Sequence, residues 1–278
     1  DVCRNILREF EPNTDKNYRE ISTGLTEHYD EVFREYYRCE ANNYDARCML
    51  EVHKSLIQRG LDAETYIRQE FDWVRSFITP SNHKNYLTIE RKGRGLPLLE
   101  SQRKQIIQGI DGWTQKMKFV GVADHAMVTH KVMDFYEDIK PEYDFCLVDE
   151  VQDLGTLELS LLRKITKKGP NDLFLVGDVA QSIFAKNLDF KQARINTDIT
   201  TFQLDLNYRN TKEILQASYE IMYQNLDETL LDAEDFEFLD PKFANRTGEK
   251  PLLFSAISLE EEIANSISLA KGLIENRE

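Results

Sequence analysis

Residues 145–153 read FCLVDEVQD, and this stretch decides the fold class. A short apolar run at 145–148 leads directly into two adjacent carboxylates, Asp149 and Glu150. Such a run is typical of a parallel strand that is buried on both faces. Because functional groups in open parallel sheets lie just beyond the carboxyl ends of the strands, the acidic pair marks a candidate site.

A strand-then-helix alternation continues from this stretch toward the C-terminus. We predict further strands at 173–176, 202–206 and 252–254. We predict one helix through 157–165 that ends near 169–170, and two more over 211–223 and 259–274. Strands alternating with helices indicate an α/β fold with a parallel sheet and right-handed crossovers. Residues 20–118 instead show helical spacing, with one helix predicted over 98–117. The aromatic residues at 29–44 fit a helical core better than a base-stacking platform.

The composition is that of a globular protein, with 278 residues, 41% hydrophobic and 30% charged. Because the longest apolar runs are only strand-sized, we expect no membrane span. The four cysteines (3, 39, 48 and 146) lack C-x-x-C spacing, so we expect reduced thiols in a cytoplasm and no zinc site. The first residue is Asp1, and we expect the chain to begin inside a longer protein.

The net charge of −14 argues against a protein that coats nucleic acid over its whole surface. Residues 81–120 are an exception, with eight Lys or Arg against three acidic residues. This segment is either a stripe that faces phosphates or a solvated helix face, and charge alone favours the second interpretation.

Two further predicted strand ends carry polar groups: GDVAQSIF at 177–184 and LDLNYRN at 204–210. Asp149, Asp178 and Asn207 are each 29 residues apart, and each follows an apolar run. Taken singly, each motif has an ordinary interpretation, such as a helix cap, a tight turn, or a packed Tyr beside a surface Arg.

Together, the three motifs resemble the second, third and fourth helicase motifs of the UvrD/Rep group of superfamily 1, which are DExQD, GDxxQSIY and L-x-x-NYRS. The resemblance covers 85–278 and includes RKGRG at 91–95 and GEKPLLFSAISLEEEIANSISLAKGLI at 248–274, whereas 1–84 match only in being helical. It implies a RecA-like motor domain of the P-loop NTPase type at 119–278, a parallel sheet flanked by helices. Residues 1–118 would form an α-helical insertion subdomain.

The same resemblance implies an ATP- and Mg²⁺-dependent helicase or translocase acting on single-stranded or duplex DNA. Asp149 would be a Mg²⁺ ligand and Glu150 the general base for the attacking water. Gln181 would contact the γ-phosphate and Tyr208 would stack on adenine. Arg209 would act as an arginine finger, which contributes ~10³–10⁵ in rate in related NTPases. The nucleotide would lie between this domain and a second RecA-like domain.

Candidate DNA contacts also follow from the resemblance, because the family inserts a DNA-touching helical subdomain before the second motif. The matching basic residues are Arg91, Lys92, Arg94 and Arg103. The family usually continues its third motif with an aromatic residue and an Arg, whereas this chain has Ala185-Lys186-Asn187. This difference removes the stacking ring and leaves Lys186 as a candidate phosphate contact.

No G-x-x-x-x-G-K-[ST] loop occurs in the 278 residues. Because that loop supplies most phosphate-binding groups, we expect the chain alone to bind ATP weakly and not to hydrolyse it. The family places the loop upstream, and truncation is the simplest explanation. Two alternatives stay open: a degenerate, non-hydrolysing homologue that serves as a nucleic-acid or protein-binding scaffold, and the helicase part of a nuclease-helicase recombination subunit. The retained Glu150, Gln181 and Arg209 speak against the scaffold.

Overall fold

The computed structural model describes residues 2–17, 26–41, 47–91, 93–178, 181, 185–195, 200–202, 204, 206–225 and 244–275. The chain forms two compact units, Asp1–Thr200 and Thr201–Glu278. The predicted boundary between insertion subdomain and motor domain, at 118/119, falls inside the first unit and stays a prediction.

The described part of the first unit is helical up to residue 133. Its helices are α1 (Val2–Phe10), α2 (Thr14–Asn17), α3 (Thr26–Ala41), α4 (Leu50–Gln58), α5 (Ala63–Arg75), α6 (Glu100–Val120) and α7 (His125–Met133), with 3-10 segments at Arg47–Met49 and Pro80–Leu87. The N-cap of α5 is Asp62, whose side chain accepts the backbone N–H of Glu64 and Thr65. Helix α6 ends at Gly121, which adopts the left-handed conformation common after helix C-termini. The helix predicted over 98–117 is therefore confirmed as α6.

An aromatic core joins these helices. Phe33 of α3 packs edge-to-face on Trp113 of α6, with ring centroids 5.1 Å apart, and on Phe71 of α5 at 6.1 Å. The Tyr36 hydroxyl donates to the Gly109 carbonyl at 2.6 Å. Each such ring pair adds about 0.5–1.5 kcal/mol beyond area burial. The prediction that the aromatic residues of α3 form core is confirmed for the described Phe33, Tyr36 and Tyr37, all buried.

The acidic motif lies at the start of an α/β arrangement in the same unit. Strand β1 (Cys146–Val148) is followed by a 3-10 turn (Val151–Asp153), helix α8 (Thr156–Ile165) and strand β2 (Leu173–Leu175). The strands pair in parallel, with Leu147 opposite Phe174. The predicted parallel strands with a helical crossover are therefore confirmed at this position.

The predicted burial of β1 on both faces is wrong. One face packs into a small core formed by Val151, Leu159, Ala193 and Ile195 together with Val148, Leu173 and Leu175. On the other face, Leu147 is 69% exposed and Phe174 is 59% exposed. A parallel strand is buried on both sides only where other elements cover both, and the described residues cover one.

The second unit contains strands β3 (Asn207–Thr211) and β4 (Ala244–Arg246), which pair in parallel, and helices α9 (Lys212–Asn225) and α10 (Leu259–Glu275). The helices predicted at 211–223 and 259–274 are confirmed as α9 and α10. The strand predicted at 252–254 is wrong, and the described residues 202, 204 and 206 form no strand, whereas 203 and 205 lie outside the described residues. The strands observed begin at Asn207 and Ala244.

Exposure explains these two errors. Phe202 is 81% exposed and Leu253 is 94% exposed, and no strand pairs with the described residues of either run. An apolar run becomes a strand only where a neighbouring strand accepts and donates its backbone hydrogen bonds.

The described chain is thus a helix-rich α/β protein with two small parallel sheets. None of the helices described is both long enough and apolar enough to cross a bilayer.

Candidate functional site

The residue that follows the first carboxylate of the acidic motif is held in a strained backbone conformation. Glu150 has φ 52° and ψ 45°, in the left-handed region. For a residue with a Cβ this costs about 1–3 kcal/mol, and such residues cluster at functional sites. Two hydrogen bonds hold the turn: the Glu150 N–H donates to Asp149 Oδ1 at 3.0 Å, and the Glu150 carbonyl accepts the Asp153 N–H at 2.9 Å. The turn therefore presents both carboxylates, which are exposed, at the end of β1.

A buried amide connects this turn to the next strand end. Gln152 is 6% exposed, and its Nε2 donates to Glu150 Oε2 at 2.6 Å. Its Oε1 accepts the backbone N–H of Asp178 at 3.0 Å. A Cβ on Gly177 would lie 2.5 Å from Gln152 Oε1 and 2.8 Å from Val151 Cγ1, so glycine is required for this close approach.

The third-motif glutamine joins the same network. The Gln181 Nε2 donates to Asp178 Oδ2 at 2.6 Å, and its N–H donates to the Asp178 carbonyl at 3.0 Å. One chain of hydrogen bonds therefore runs from Glu150 through Gln152 and Asp178 to Gln181. The structure thus links Glu150 to Gln181 through hydrogen bonds, and Asp149 is bonded to the backbone of Glu150. The roles of the three residues stay predictions.

Sequence reasoning missed Gln152. It belongs to the DEVQD motif, but nothing local shows that its amide spans two strand ends, because that depends on the left-handed turn at Glu150 and on the absence of a side chain at Gly177.

Tyr208 and Arg209 lie on β3 of the second unit. The Asn207 Oδ1 accepts the backbone N–H groups of Arg209 at 3.0 Å and Asn210 at 2.8 Å. Tyr208 is 65% exposed, and Arg209 is exposed as well. Their roles at adenine and phosphate stay predictions.

The segment that follows the third motif is fixed by the end of α5. The Asn187 N–H donates to Ser76 Oγ at 2.8 Å, and Thr156 Oγ1 donates to the Asn187 carbonyl at 2.8 Å. A Cβ on Gly155 would lie 2.6 Å from the Ser76 carbonyl oxygen, so α8 begins in direct contact with α5. No sequence signal indicated this junction, since Ser76 and Asn187 are 111 residues apart.

Lys186, a candidate phosphate contact, forms a partly buried ion pair. Its Nζ lies 2.8 Å from Glu158 Oε2, and the same carboxylate oxygen accepts the Gly155 N–H at 2.7 Å. This pair holds the third-motif segment against the start of α8.

Arg91 and Arg94 are engaged by one buried carboxylate. Arg91 is 8% exposed and donates to Glu70 Oε1 and Oε2, each at 2.6 Å, while Arg94 Nε donates to Oε2 at 2.9 Å. Burial of Glu70 would raise its pKa, but Arg91 outweighs this and holds the pKa below its ordinary value. Since Glu70 has no exposed surface, a DNA phosphate would have to compete with it for Arg91.

Arg103 likewise has a structural environment. Its Nη1 donates to the backbone carbonyls of Tyr86 at 3.1 Å and Ile89 at 2.8 Å, which closes the 3-10 segment over α6. Lys92 lies outside the described residues. The structure therefore shows what Arg91, Arg94 and Arg103 stabilise, and their contact with DNA stays a prediction.

No group of three His, Cys, Asp or Glu side chains in the described part of the chain could hold a metal ion by itself. Mg²⁺ bound with a nucleotide needs only one or two carboxylates, because waters and phosphate oxygens complete its shell. The exposed carboxylate of Asp149, at the end of β1, fits that requirement.

Comparison with protein families places this chain in a known family. The family model of the UvrD/REP helicase N-terminal domain matches residues 1–207. The chain therefore belongs to this family, as the three motifs predicted. The match includes residues 1–84, where the sequence motifs showed only helical character.

Two curated relatives have the same name, which describes each as one subunit of an ATP-dependent helicase/nuclease. The protein of Lactobacillus gasseri is 23% identical over 243 residues, which cover 78% of this chain and 19% of the relative. The protein of Carboxydothermus hydrogenoformans is 33% identical over 105 residues, or 34% of this chain and 9% of the relative. The chain thus spans less than a fifth of the length of these relatives.

Proposed function

We propose that this chain is part of the RecA-like motor of an ATP-dependent DNA helicase, which couples hydrolysis of Mg²⁺-bound ATP to movement on single-stranded DNA. The observation that carries the proposal is the network at the ends of β1 and β2, in which the exposed carboxylate of Glu150 is linked through Gln152 and Asp178 to Gln181. Family membership supports the same conclusion.

In the proposed reaction, Glu150 accepts a proton from the attacking water while that water's oxygen forms a bond to the γ-phosphorus. The bond from the γ-phosphorus to the bridging oxygen breaks, and ADP leaves. Mg²⁺ held by Asp149 would neutralise charge on the phosphate oxygens. Gln181 would contact the γ-phosphate. Arg209 would contact the transferred phosphoryl group, and Tyr208 would stack on the adenine.

Hydrolysis also needs a phosphate-binding loop, which the 278 residues do not contain. We therefore assign the activity to a polypeptide in which this chain acts with such a loop. For the chain alone, titration with ATP and Mg²⁺ is expected to give a millimolar or weaker dissociation constant. Micromolar binding would reveal a phosphate-binding element outside the motifs.

A more specific proposal follows from the name that the relatives share. They are named for a helicase/nuclease, and they are more than five times as long as the segments matched here. We propose that the chain is the helicase part of a helicase-nuclease protein of this kind. Nuclease activity of the same polypeptide on DNA ends tests this, and a protein that unwinds DNA without cleaving it would contradict it.

The test of the helicase proposal is Glu150→Gln in the loop-containing protein. Loss of the general base should lower ATP turnover about 10²- to 10⁴-fold, because water is no longer deprotonated as it attacks. Glu90→Gln is the matched control, since Glu90 is exposed and lies far along the chain from the motif. Single-stranded DNA should stimulate turnover of the unmodified protein.

Two outcomes would contradict the proposal. Turnover that survives Glu150→Gln would show that Glu150 is not the base. An unmodified protein that binds DNA but hydrolyses no ATP would favour the scaffold alternative.

A further inference from the structure

Gln152 occupies a position between two groups to which the proposed function assigns roles. Its amide lies on the 3-10 turn after Glu150, is almost fully buried, and uses both of its polar ends. The Nε2 donates to the Glu150 carboxylate and the Oε1 accepts from the backbone at Asp178. The amide is thus the link between the end of β1 and the end of β2.

We infer that Gln152 is a positioning residue that fixes the Glu150 carboxylate for proton abstraction and couples it to the Gln181 segment. This inference rests on the proposed function. Gln152 is assigned no contact with ATP, so it would act only through the two groups to which it is bonded.

The chemistry of the two partners explains why an amide stands here. An ionised carboxylate can only accept a hydrogen bond, and a backbone N–H can only donate one. A single side chain can serve both only if it carries a donor and an acceptor at its end, as Gln does. Glu would keep the bond from Asp178 but would place a second carboxylate against Glu150.

The surroundings keep the amide in this orientation. Gly177 leaves the space that Gln152 Oε1 occupies, and Val151 packs beside it. The Val151 N–H donates to the Val176 carbonyl at 2.9 Å. The turn is therefore bonded to the end of β2 twice, once through this backbone bond and once through the Gln152 amide. Hydrogen bonds at the ends of β1 and β2 thus flank the left-handed backbone of Glu150.

Two hydrogen bonds of Asp178 provide a route for this coupling. Asp178 receives the Gln152 bond through its backbone N–H and holds the Gln181 amide through its carboxylate. A shift of Gln181 on contact with a phosphate would therefore be transmitted to Asp178, to Gln152 and to the carboxylate of Glu150. Asp149 and Asp178 also bring carboxylates to these two strand ends, and Asp153 lies in the 3-10 turn itself.

The experiment uses Gln152→Glu, which removes the bond to Glu150 and retains an acceptor for Asp178. In the loop-containing protein, kcat for ATP should fall about 10- to 100-fold, because the base is no longer held in line, whereas KM should change by less than about twofold. In a Glu150→Gln background the same substitution should cause no further loss of kcat. Gln115→Glu is the matched control, since Gln115 is exposed on α6.

A second arm measures thermal unfolding of the 278-residue chain and does not depend on ATP. Gln152→Glu should lower Tm because two carboxylates then face each other. The exchanged double variant, Glu150→Gln with Gln152→Glu, restores one donor and one acceptor and should recover most of the Tm lost, without recovering turnover.

The outcomes separate this inference from the proposed function. An unmodified protein without ATP turnover refutes the proposed function. An active protein in which Gln152→Glu keeps kcat, or lowers it equally with and without Glu150, refutes the positioning role. A double variant no more stable than Gln152→Glu refutes the bond itself.

Discussion

A buried ion pair joins the end of α5 to the start of α7, and Asp124→Asn would break it. The side chain of Arg75 is 1% exposed; its Nη1 donates to Asp124 Oδ2 at 2.8 Å and its Nη2 to Oδ1 at 2.6 Å. Asp124 is also the N-cap of α7, since its Oδ1 accepts the Met127 N–H at 2.8 Å. Asp124→Asn removes the charge and retains a side chain that caps helices equally well.

The expected loss in free energy of unfolding is therefore the cost of breaking the ion pair. Neutralising one partner of a buried pair costs about 3–5 kcal/mol, because the remaining charge loses the partner to which it is hydrogen-bonded. The capping contribution should change by less than about 0.5 kcal/mol, as Asn and Asp rank together. A loss of this size is a large fraction of the roughly 5–15 kcal/mol that stabilises a typical domain. It also loosens the end of α5, where Ser76 holds Asn187.

The assay is urea unfolding of the 278-residue chain at pH 7, followed by circular dichroism. Asp62→Asn is the control, because Asp62 also caps a helix, α5, but is exposed. Burial would raise the pKa of Asp124, but Arg75 holds it below its ordinary value. A lowered carboxyl pKa stabilises the fold above the ordinary pKa, and this stabilisation is lost as pH falls through the folded value. The difference between the two proteins should thus shrink below about pH 4. A loss under about 1 kcal/mol, or one equal to that of Asp62→Asn, would refute this reasoning.

Substitutions at Asp72 and at Gly177 should also change stability. Burial raises the pKa of Asp72 to about 6, with Asp124 adding to the rise and Arg75 opposing it. A raised carboxyl pKa stabilises the fold below the ordinary value and loses this effect as pH rises through 6. As pH rises from 4 to 7, the Asp72→Asn variant should therefore gain on the order of 1–3 kcal/mol in free energy of unfolding relative to the unmodified chain. Parallel Tm–pH curves for the two proteins would contradict this. Gly177→Ala should lower stability by about 1–3 kcal/mol and displace Gln152, because the added Cβ would contact Gln152 and Val151. Gly169→Ala is the control and should leave Tm unchanged, since a Cβ there has open space around it. Equal Tm values for the two variants would contradict the predicted contact at Gly177.

Much of the fold could be predicted from the sequence, because helices and strand ends depend on local patterns. Helical spacing predicted α6, α9 and α10, and an apolar run before an acidic pair predicted β1, since periodicity and strand ends are properties of a few neighbouring residues. The strands predicted at 202–206 and 252–254 failed because pairing requires a distant partner, which no local pattern specifies.

Motif order and spacing were sufficient for the family, and they placed Glu150 and Gln181, which one chain of hydrogen bonds links, at strand ends. These follow from residue identity and from the geometry of parallel strands, whose carboxyl ends share one edge.

Pairing between distant residues was settled only in three dimensions. The residues around Arg91 indicate an exposed cation, but the side chain is buried and paired with Glu70, 21 residues earlier. Gln152 reads as one letter of a motif, yet its amide joins two strand ends because Gly177 leaves room. A residue's charge or hydrogen-bonding capacity is a property of its type, but the group that satisfies it is chosen by tertiary contacts, which local sequence does not encode.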